Sequence, residues 1–361
     1  MIMDLAAPIP IRSFMQIPTL SKSFFNNKQT TRGGRRSNKS RNHPNFAPIR
    51  CLHFNHIAEG PNNGKAIMRQ ELGLRQGQLD KIIEIFNGRL LQGGLVFQQN
   101  FLVRSYELGP GFIISIEALT NLLQESALNH FKCTGLVLEG FGSTPEMSRK
   151  NLILVVYKLE IVIDSYPSWN DVIQVDTWTC ASGRNGVRRD WLARDYKTGK
   201  TLFRAVSMYV MMNKQTRKVS KYIEETREEF KGFLIDYCDP VIKDDGRKFR
   251  DLDIETADYV QTGIMPQWKD IDINEHVNHV KYIGWILESV PEQILETQRL
   301  SGIRLHFWKE CGKKSVLQSL TAKSAQKIDG GIELEHTLRL ERGSEILLKG
   351  RTTWMSKETN Q

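Results

Sequence analysis

The sequence predicts an α+β protein made of two tandem modules, each a long helix packed on a curved antiparallel β-sheet. Three observations carry that expectation. Apolar residues alternate with a period of two over long stretches divided by turn signals. The strands and turns of one half recur in the other at a shift of 144 residues without a gap. A helical apolar stripe precedes each strand set.

The chain opens on a segment of a different kind. Residues 1–57 hold nine Lys or Arg against one acid, Asp4, and show no sustained apolar period. Such a segment does not fold by burial. It reads as an import sequence for a plastid or mitochondrion, the alternative being a basic tail for an anionic partner. The rest of the chain has 41 basic and 40 acidic residues, so most of the net +9 belongs to the head. The charge therefore gives no reason to expect a nucleic-acid partner for the body. Residues 58–91 form a lead-in, within which Leu79–Phe86 is amphipathic.

The first module is expected over 92–228. Ile116, Leu119, Leu123 and Ala127 mark its helix. In 151–163 every odd position from Ile153 is apolar, with Lys158 and Glu160 on even positions, as in a half-buried strand. Strands follow at Val172–Thr179, Arg189–Tyr196 and Thr201–Met212, and Gly199 can supply the positive φ of the last hairpin. Residues 229–261 read as a linker. The second module, 262–357, has its helix at Val280, Ile283 and Leu287. Its strands begin near Ile303, Val316, Ile332 and Ile346, and Gly343 stands where Gly199 does. Glu125 matches Glu288 at a shift of 163, so the first module carries extra residues around Lys132–Lys150. Pairing of the two copies would continue the sheet and cover its edges.

Composition excludes several classes. With 40% hydrophobic and 25% charged residues the chain is neither disordered nor collagenous. Five cysteines without a CxxC predict free thiols in a reducing compartment, not a disulfide scaffold. The apolar run Leu152–Tyr157 is far short of the ~20 residues that span a bilayer.

The copies differ in one respect that bears on chemistry. Asp272, Asn274 and His276 stand where the first module has Gly109, Gly111 and Ile113, and Glu310 and Cys311 stand where it has Tyr166 and Pro167. Both places are element ends that the helix-on-sheet arrangement brings together, so these five form the candidate catalytic set. Asp272 or Asn274 could instead cap a helix, and Cys311 could be an inert core thiol. His276 and His279 do not supply the four ligands of a structural metal site, and no metal or cofactor is expected.

These residues lie in long motifs. WKDIDINEHVNHVKYIGWILES, with GGLVFQQNFLVRSYELG, LLQESALNH, GFGSTPEM, GVRRDWLARD and WKECGKKSVLQSLT, resembles the plant acyl-acyl-carrier-protein thioesterases over roughly 90–357. The GFGSTPEM and KYIGWILES forms are closer to the branch preferring saturated chains, the B class. The resemblance implies a double hotdog imported into plastids. It implies hydrolysis of a fatty acyl thioester carried on acyl carrier protein, with a homodimer an open expectation. The family's Asp-x-Asn-Gln-His-Val-Asn-Asn is matched except that Glu275 replaces Gln and His279 replaces Asn. The Trp-rich stretch and Lys-Pro-Arg-Arg run usual upstream of GGLVF are missing, which weakens membrane association.

By the same resemblance Glu310 is the general base for water. Asn274 and His276 orient water and thioester, and Asp272 supports them. An older reading makes Cys311 a nucleophile with His276 as base, and the sequence leaves both open. The first module is expected to hold the acyl chain, with Ile116, Leu119, Leu123, Val155 and Met208 as candidates. Lys150, Arg184, Arg188, Arg189 and Arg194 are candidates for docking the acidic carrier. A coenzyme A thioesterase and a non-catalytic acyl-binding protein are the alternatives.

Overall fold

The computed structural model describes residues 87–137, 142–182, 186–221 and 223–357. The basic head, most of the lead-in with Leu79–Phe86, and Arg184 lie outside the described residues.

A short hairpin, β1 (Gly88–Leu91) and β2 (Val96–Leu102), leads to helix α1 (Ile116–Cys133). Ser115 caps α1 by accepting the Ala118 N–H at 3.2 Å. The one-turn helix α2 (Pro145–Arg149) precedes four strands: β3 (Leu152–Ile163), β4 (Val172–Ser182), β5 (Gly186–Asp195) and β6 (Thr201–Asn213). After helix α3 (Glu224–Phe230) and a long linker come β7 (Tyr259–Ile264), α4 (His279–Leu287) and α5 (Glu292–Thr297). The chain closes with β8 (Gln298–Phe307), β9 (Leu317–Lys323), β10 (Gly331–Leu340) and β11 (Ile346–Ser356). Gly199 and Gly343 take φ of +70° and +85° in the matching hairpin turns.

The described strands make one sheet in the order β1-β2-β4-β5-β6-β3-β8-β11-β10-β9-β7. The modules join where β3 runs antiparallel to β8, with Leu159 opposite Leu305 and Ile161 opposite Ile303. These four side chains are buried in the main core, where α1 contributes Leu119 and Leu123 and α4 contributes Ile283 and Ile286. Trp191 on β5 locks α1 to the sheet, donating Nε1–H to the Leu123 carbonyl at 3.1 Å and Ser126 Oγ at 3.0 Å. The double hotdog is the architecture observed, with one difference from expectation. Only α1 is long. The second helix spans nine residues, and Pro291, which cannot continue a helix, stands just beyond its end and opens α5.

A bulge corrects the reading of β3. The register with β6 shifts between Val156 and Lys158, so the inward parity changes there. Leu159 and Ile161 face the main core, but before the bulge it is Val156, opposite Tyr209, that does so. Val155 pairs with Val210 and Lys158 with Met208, placing Val155 and Met208 on the other face.

That outer face is charged and covered by the linker. Arg304 on β8 bonds Glu160 on β3 at 2.5 Å, Asp244 at 3.1 Å and also Asp245. Arg247 holds Glu333 with two bonds of 2.9 and 2.7 Å, and Arg351 bonds Glu335 at 3.0 Å. Buried ions on this scale fold only when they are paired. The free-thiol expectation also needs correcting. Cys180 on β4 and Cys238 in the linker form a disulfide, which ties the linker to the sheet, while Cys133 and Cys311 are free and buried. Spacing could not reveal the pair, because 58 residues separate the two cysteines. No helix among the described residues is long and apolar enough to cross a membrane.

Arg304→Met removes the cation that compensates Glu160 at the module junction, and should cost about 3 kcal/mol in denaturant unfolding. Adding Glu160→Gln should restore part of that loss. A stability equal to wild type in the single variant would show that the junction does not depend on this pair.

Candidate active site

The site grows from a loop that the fold builds twice. Before α1, the Gly109 N–H bonds the Ile113 carbonyl at 2.8 Å, and before α4 the Asp272 N–H bonds the His276 carbonyl at 2.7 Å. Ser115 N–H to Glu107 carbonyl and Asn278 N–H to Asp270 carbonyl are likewise equivalent, each at 2.9 Å. Phe112 and Glu275 both take a positive φ, +58° and +63°. Gly111, at φ +81°, eases this turn in the first module. In the second, the Asp272 carboxylate organises it, accepting the Asn274 N–H at 2.8 Å and the His276 N–H at 3.3 Å. The helix cap is Asn278, whose Oδ1 accepts the Val280 N–H at 2.9 Å, so neither Asp272 nor Asn274 is spent on capping α4.

This turn aims His276. Its Nδ1 lies 2.6 Å from the Asn274 carbonyl, an acceptor only, so Nδ1 carries the proton and Nε2 is the free lone pair of the neutral ring. Nε2 lies 3.8 Å from Glu310 Oε2. Glu310 sits in the loop after β8, so the structure brings together the two distant parts of the candidate set. Glu310 is also held by Arg217, whose Nε donates to Oε1 at 2.6 Å and whose Nη2 donates to Oε2. All three side chains are part-buried, with 21–31% of their surface exposed.

Cys311 is buried beside this pair and bonded to Tyr282. It is 3% exposed, its N–H donates to Tyr282 Oη at 2.9 Å, and the Tyr282 hydroxyl donates to Sγ at 3.4 Å. Burial pushes its thiol up to about 11, the bond from Tyr282 notwithstanding. Of the two departures from the family pattern, Glu275 is exposed at the tip of the turn. His279 begins α4 with its ring edge-on to Phe307 at 6.2 Å, and desolvation lowers it to about 4, keeping it neutral near pH 7.

The expected chain-holding and docking residues divide. Ile116, Leu119 and Leu123 line the buried face of α1. Val155 and Met208 do not join them: Val155 precedes the β3 bulge with outward parity, and Met208 lies on the outward positions of β6 opposite Lys158. Arg189 is no surface cation: it is 2% exposed, with its guanidinium 4.5 Å from the Phe131 ring centroid and Nη1 3.2 Å from His130 Nδ1. Its place between Val187 and Trp191 in a period-two strand was the signal for an inward side chain. Arg188 is committed to Asp190 at 2.7 Å and to the Cys238 carbonyl at 2.7 Å, Arg194 to Asp176, and Lys150 to Glu225 at 2.8 Å. Sequence reasoning missed Arg217 and Tyr282. Tyr282 lies one helical turn into the central motif and was within reach of it. Arg217 carries no local signal, because its partner is 93 residues away in the other module.

The chain is similar to known proteins in sequence and in fold. The model of the acyl-ACP thioesterase N-terminal domain matches residues 94–230, and that of the C-terminal domain matches 254–356. The chain is 53% identical over 284 residues to the palmitoyl-acyl carrier protein thioesterase of Arabidopsis thaliana, covering 77% of this chain and 68% of that one. A 12:0-ACP thioesterase from Umbellularia californica, 43% identical, superposes with a TM-score of 0.68 over 73% of this chain and 95% of that one. A putative oleoyl thioesterase from Lactobacillus plantarum, 17% identical, shares the fold, with a TM-score of 0.63 over 75% of this chain and 98% of the other.

The burial of Cys311 has a chemical readout. A thiol near 11 has roughly 10²-fold less thiolate at pH 8 than an ordinary cysteine. Cys311→Ser should leave the native burst with Ellman's reagent unchanged and remove one thiol from the count after unfolding. Loss of part of the native burst would contradict the buried, protonated thiol.

Proposed function

The chain belongs to the acyl-ACP thioesterase family, and we propose from its geometry how that family's reaction runs here. It is a plastid hydrolase that cleaves the thioester of fatty acyl-acyl carrier protein and so ends chain growth by releasing the free fatty acid. The relatives named for palmitoyl and for 12:0 substrates are both close to it, so chain length is left to experiment.

One observation carries the mechanism. Glu310 Oε2 and His276 Nε2, an acceptor whenever the ring is neutral with its proton on Nδ1, lie 3.8 Å apart. That is too far for a hydrogen bond between them and right for a water about 2.8 Å from each. A water so placed gives both protons to acceptors and turns a lone pair to the thioester carbon. Glu310 takes the proton as general base. His276 holds the water's other hydrogen, and its own ring is fixed through Nδ1 by the turn that Asp272 organises. On this reading Asn274 offers its amide to the oxyanion. The tetrahedral intermediate collapses by expelling the pantetheine thiolate, which takes back a proton. The buried Cys311 supports this reading over nucleophilic attack by sulfur, since it is protonated and bonded to Tyr282. Arg217, His276 and Glu310 come from one chain, so the site needs no second copy.

On this reading residues 92–228 hold the acyl chain against α1, near Ile116, Leu119 and Leu123, and residues 262–357 supply the reacting groups. The acidic carrier has a better landing place than the arginines of β5. Lys269, Lys313 and Lys314 are exposed on the two loops that carry His276 and Glu310. Lys313 Nζ stacks 4.0 Å from the ring centroid of Trp268, itself 80% exposed. These groups offer an apolar and cationic rim to an acidic partner.

Turnover of acyl carrier substrates of graded chain length tests the whole reading. Glu310→Gln should lower kcat by about 10²–10⁴-fold, whereas Cys311→Ser should retain most of it. A trapped acyl-enzyme at Cys311 would overturn water activation. Equal kcat/KM on acyl-coenzyme A would favour a thioesterase indifferent to the carrier.

A further inference from the structure

The carboxylate assigned as base is held by the other module. Arg217 belongs to the hairpin that follows β6, and that hairpin is stiff. Asn213 Oδ1 accepts the N–H groups of Gln215 and Thr216 at 3.1 and 2.8 Å. The Asn213 N–H bonds the Lys218 carbonyl at 2.9 Å, and the Lys214 N–H bonds the Asn151 carbonyl beside β3 at 2.7 Å. Arg217 itself takes a φ of +55° and bonds the Asn213 carbonyl through its N–H at 2.9 Å. A left-handed arginine costs roughly 1–2 kcal/mol and persists only where the surroundings impose it. Its guanidinium reaches Glu310 with two bonds, while Nη1 is buried with no partner among the described residues. The side chain is thus anchored chiefly by Glu310.

We propose that Arg217 is a positioning residue for the hydrolysis: a guanidinium delivered by the acyl-chain module that sets the plane of the Glu310 carboxylate. The proposal rests on the reading of Glu310 as general base. A glutamate has three rotatable bonds, and Glu310 stands in a loop where, among the described residues, its carboxylate otherwise meets only His276, at 3.8 Å. The planar fork of arginine fixes both oxygens at once, which a point charge does not. Each carboxylate oxygen has a second lone pair, so the bidentate contact leaves Oε2 able to accept from a water facing His276. The base is therefore aimed by a strand pair, β3 and β6, that also contributes Val156 and Tyr209 to the main core beneath α1. The module that receives the chain sets the geometry in which the chain is cut.

The test uses the full-length protein with palmitoyl- and dodecanoyl-acyl carrier protein as substrates. Arg217→Gln should lower kcat by about 10²-fold, the cost of a mispositioned reacting group, with KM changed less than about threefold and thermal melting close to wild type. Arg217→Lys should recover only part of kcat, because it restores charge without the fork. This variant carries the same comparison if the Gln form does not fold. In a Glu310→Gln background, Arg217→Gln should cost nothing further, since its effect runs through that carboxylate. A wild-type kcat in Arg217→Gln, with Glu310→Gln inactive, would overturn the positioning role alone. So would a full additional loss in the double variant. A wild-type kcat in Glu310→Gln would instead remove the base assignment on which the inference stands.

Discussion

The antiparallel pairing of β3 with β8 is the contact from which the rest of the molecule takes its geometry. It merges two half-sheets into one and sets Ile161 against Ile303 and Glu160 against Arg304. On the inner face this closes a single core beneath α1 and α4. On the outer face it assembles an ionic layer that only the linker can cover, since Arg304 needs Asp244 and Asp245 as well as Glu160. Through β6, hydrogen-bonded to β3, the same pairing carries the Asn213–Lys218 hairpin to the loop of Glu310. The two modules are thus coupled in the core, in the ionic layer and at the carboxylate.

Duplication explains how such a site can arise without a new fold. The turns before the two helices share the hydrogen bond across them and the left-handed residue at the tip, Phe112 or Glu275. In the first copy glycine relieves the turn. In the second, Asp272 accepts its N–H groups and thereby supports a polar sequence of equal length in which His276 can be oriented. The first copy, freed of polar groups at this place, can bury an apolar chain. On the proposed function, the two copies divide the labour through different side chains on a shared turn.

Much of the fold was legible because it is written locally. The period of two, the hairpin glycines at 199 and 343, and the helix stripes each follow from dihedral preference and burial of neighbouring residues. The failures share a different cause. Val155 was placed by extrapolating parity through a bulge that no residue type announces, and Met208 lies on the outward parity of β6. Arg189 was read by its charge, although the strand period and the ring of Phe131 put it inside. Cys180 and Cys238 were counted and not paired, for their approach depends on where the linker crosses the sheet.

The sequence by itself determined the duplication, the position of the polar set in the second copy, the family and therefore the reaction. These depend on residue identity and spacing, which survive in the chain whatever its shape. The tertiary structure alone decided that His276 presents Nε2 towards Glu310, that Cys311 is sealed under Tyr282, and that Arg217 grips the carboxylate from the other module. Those are relations between side chains brought together across strand pairings and module contacts, and their geometry exists only once the sheet is continuous.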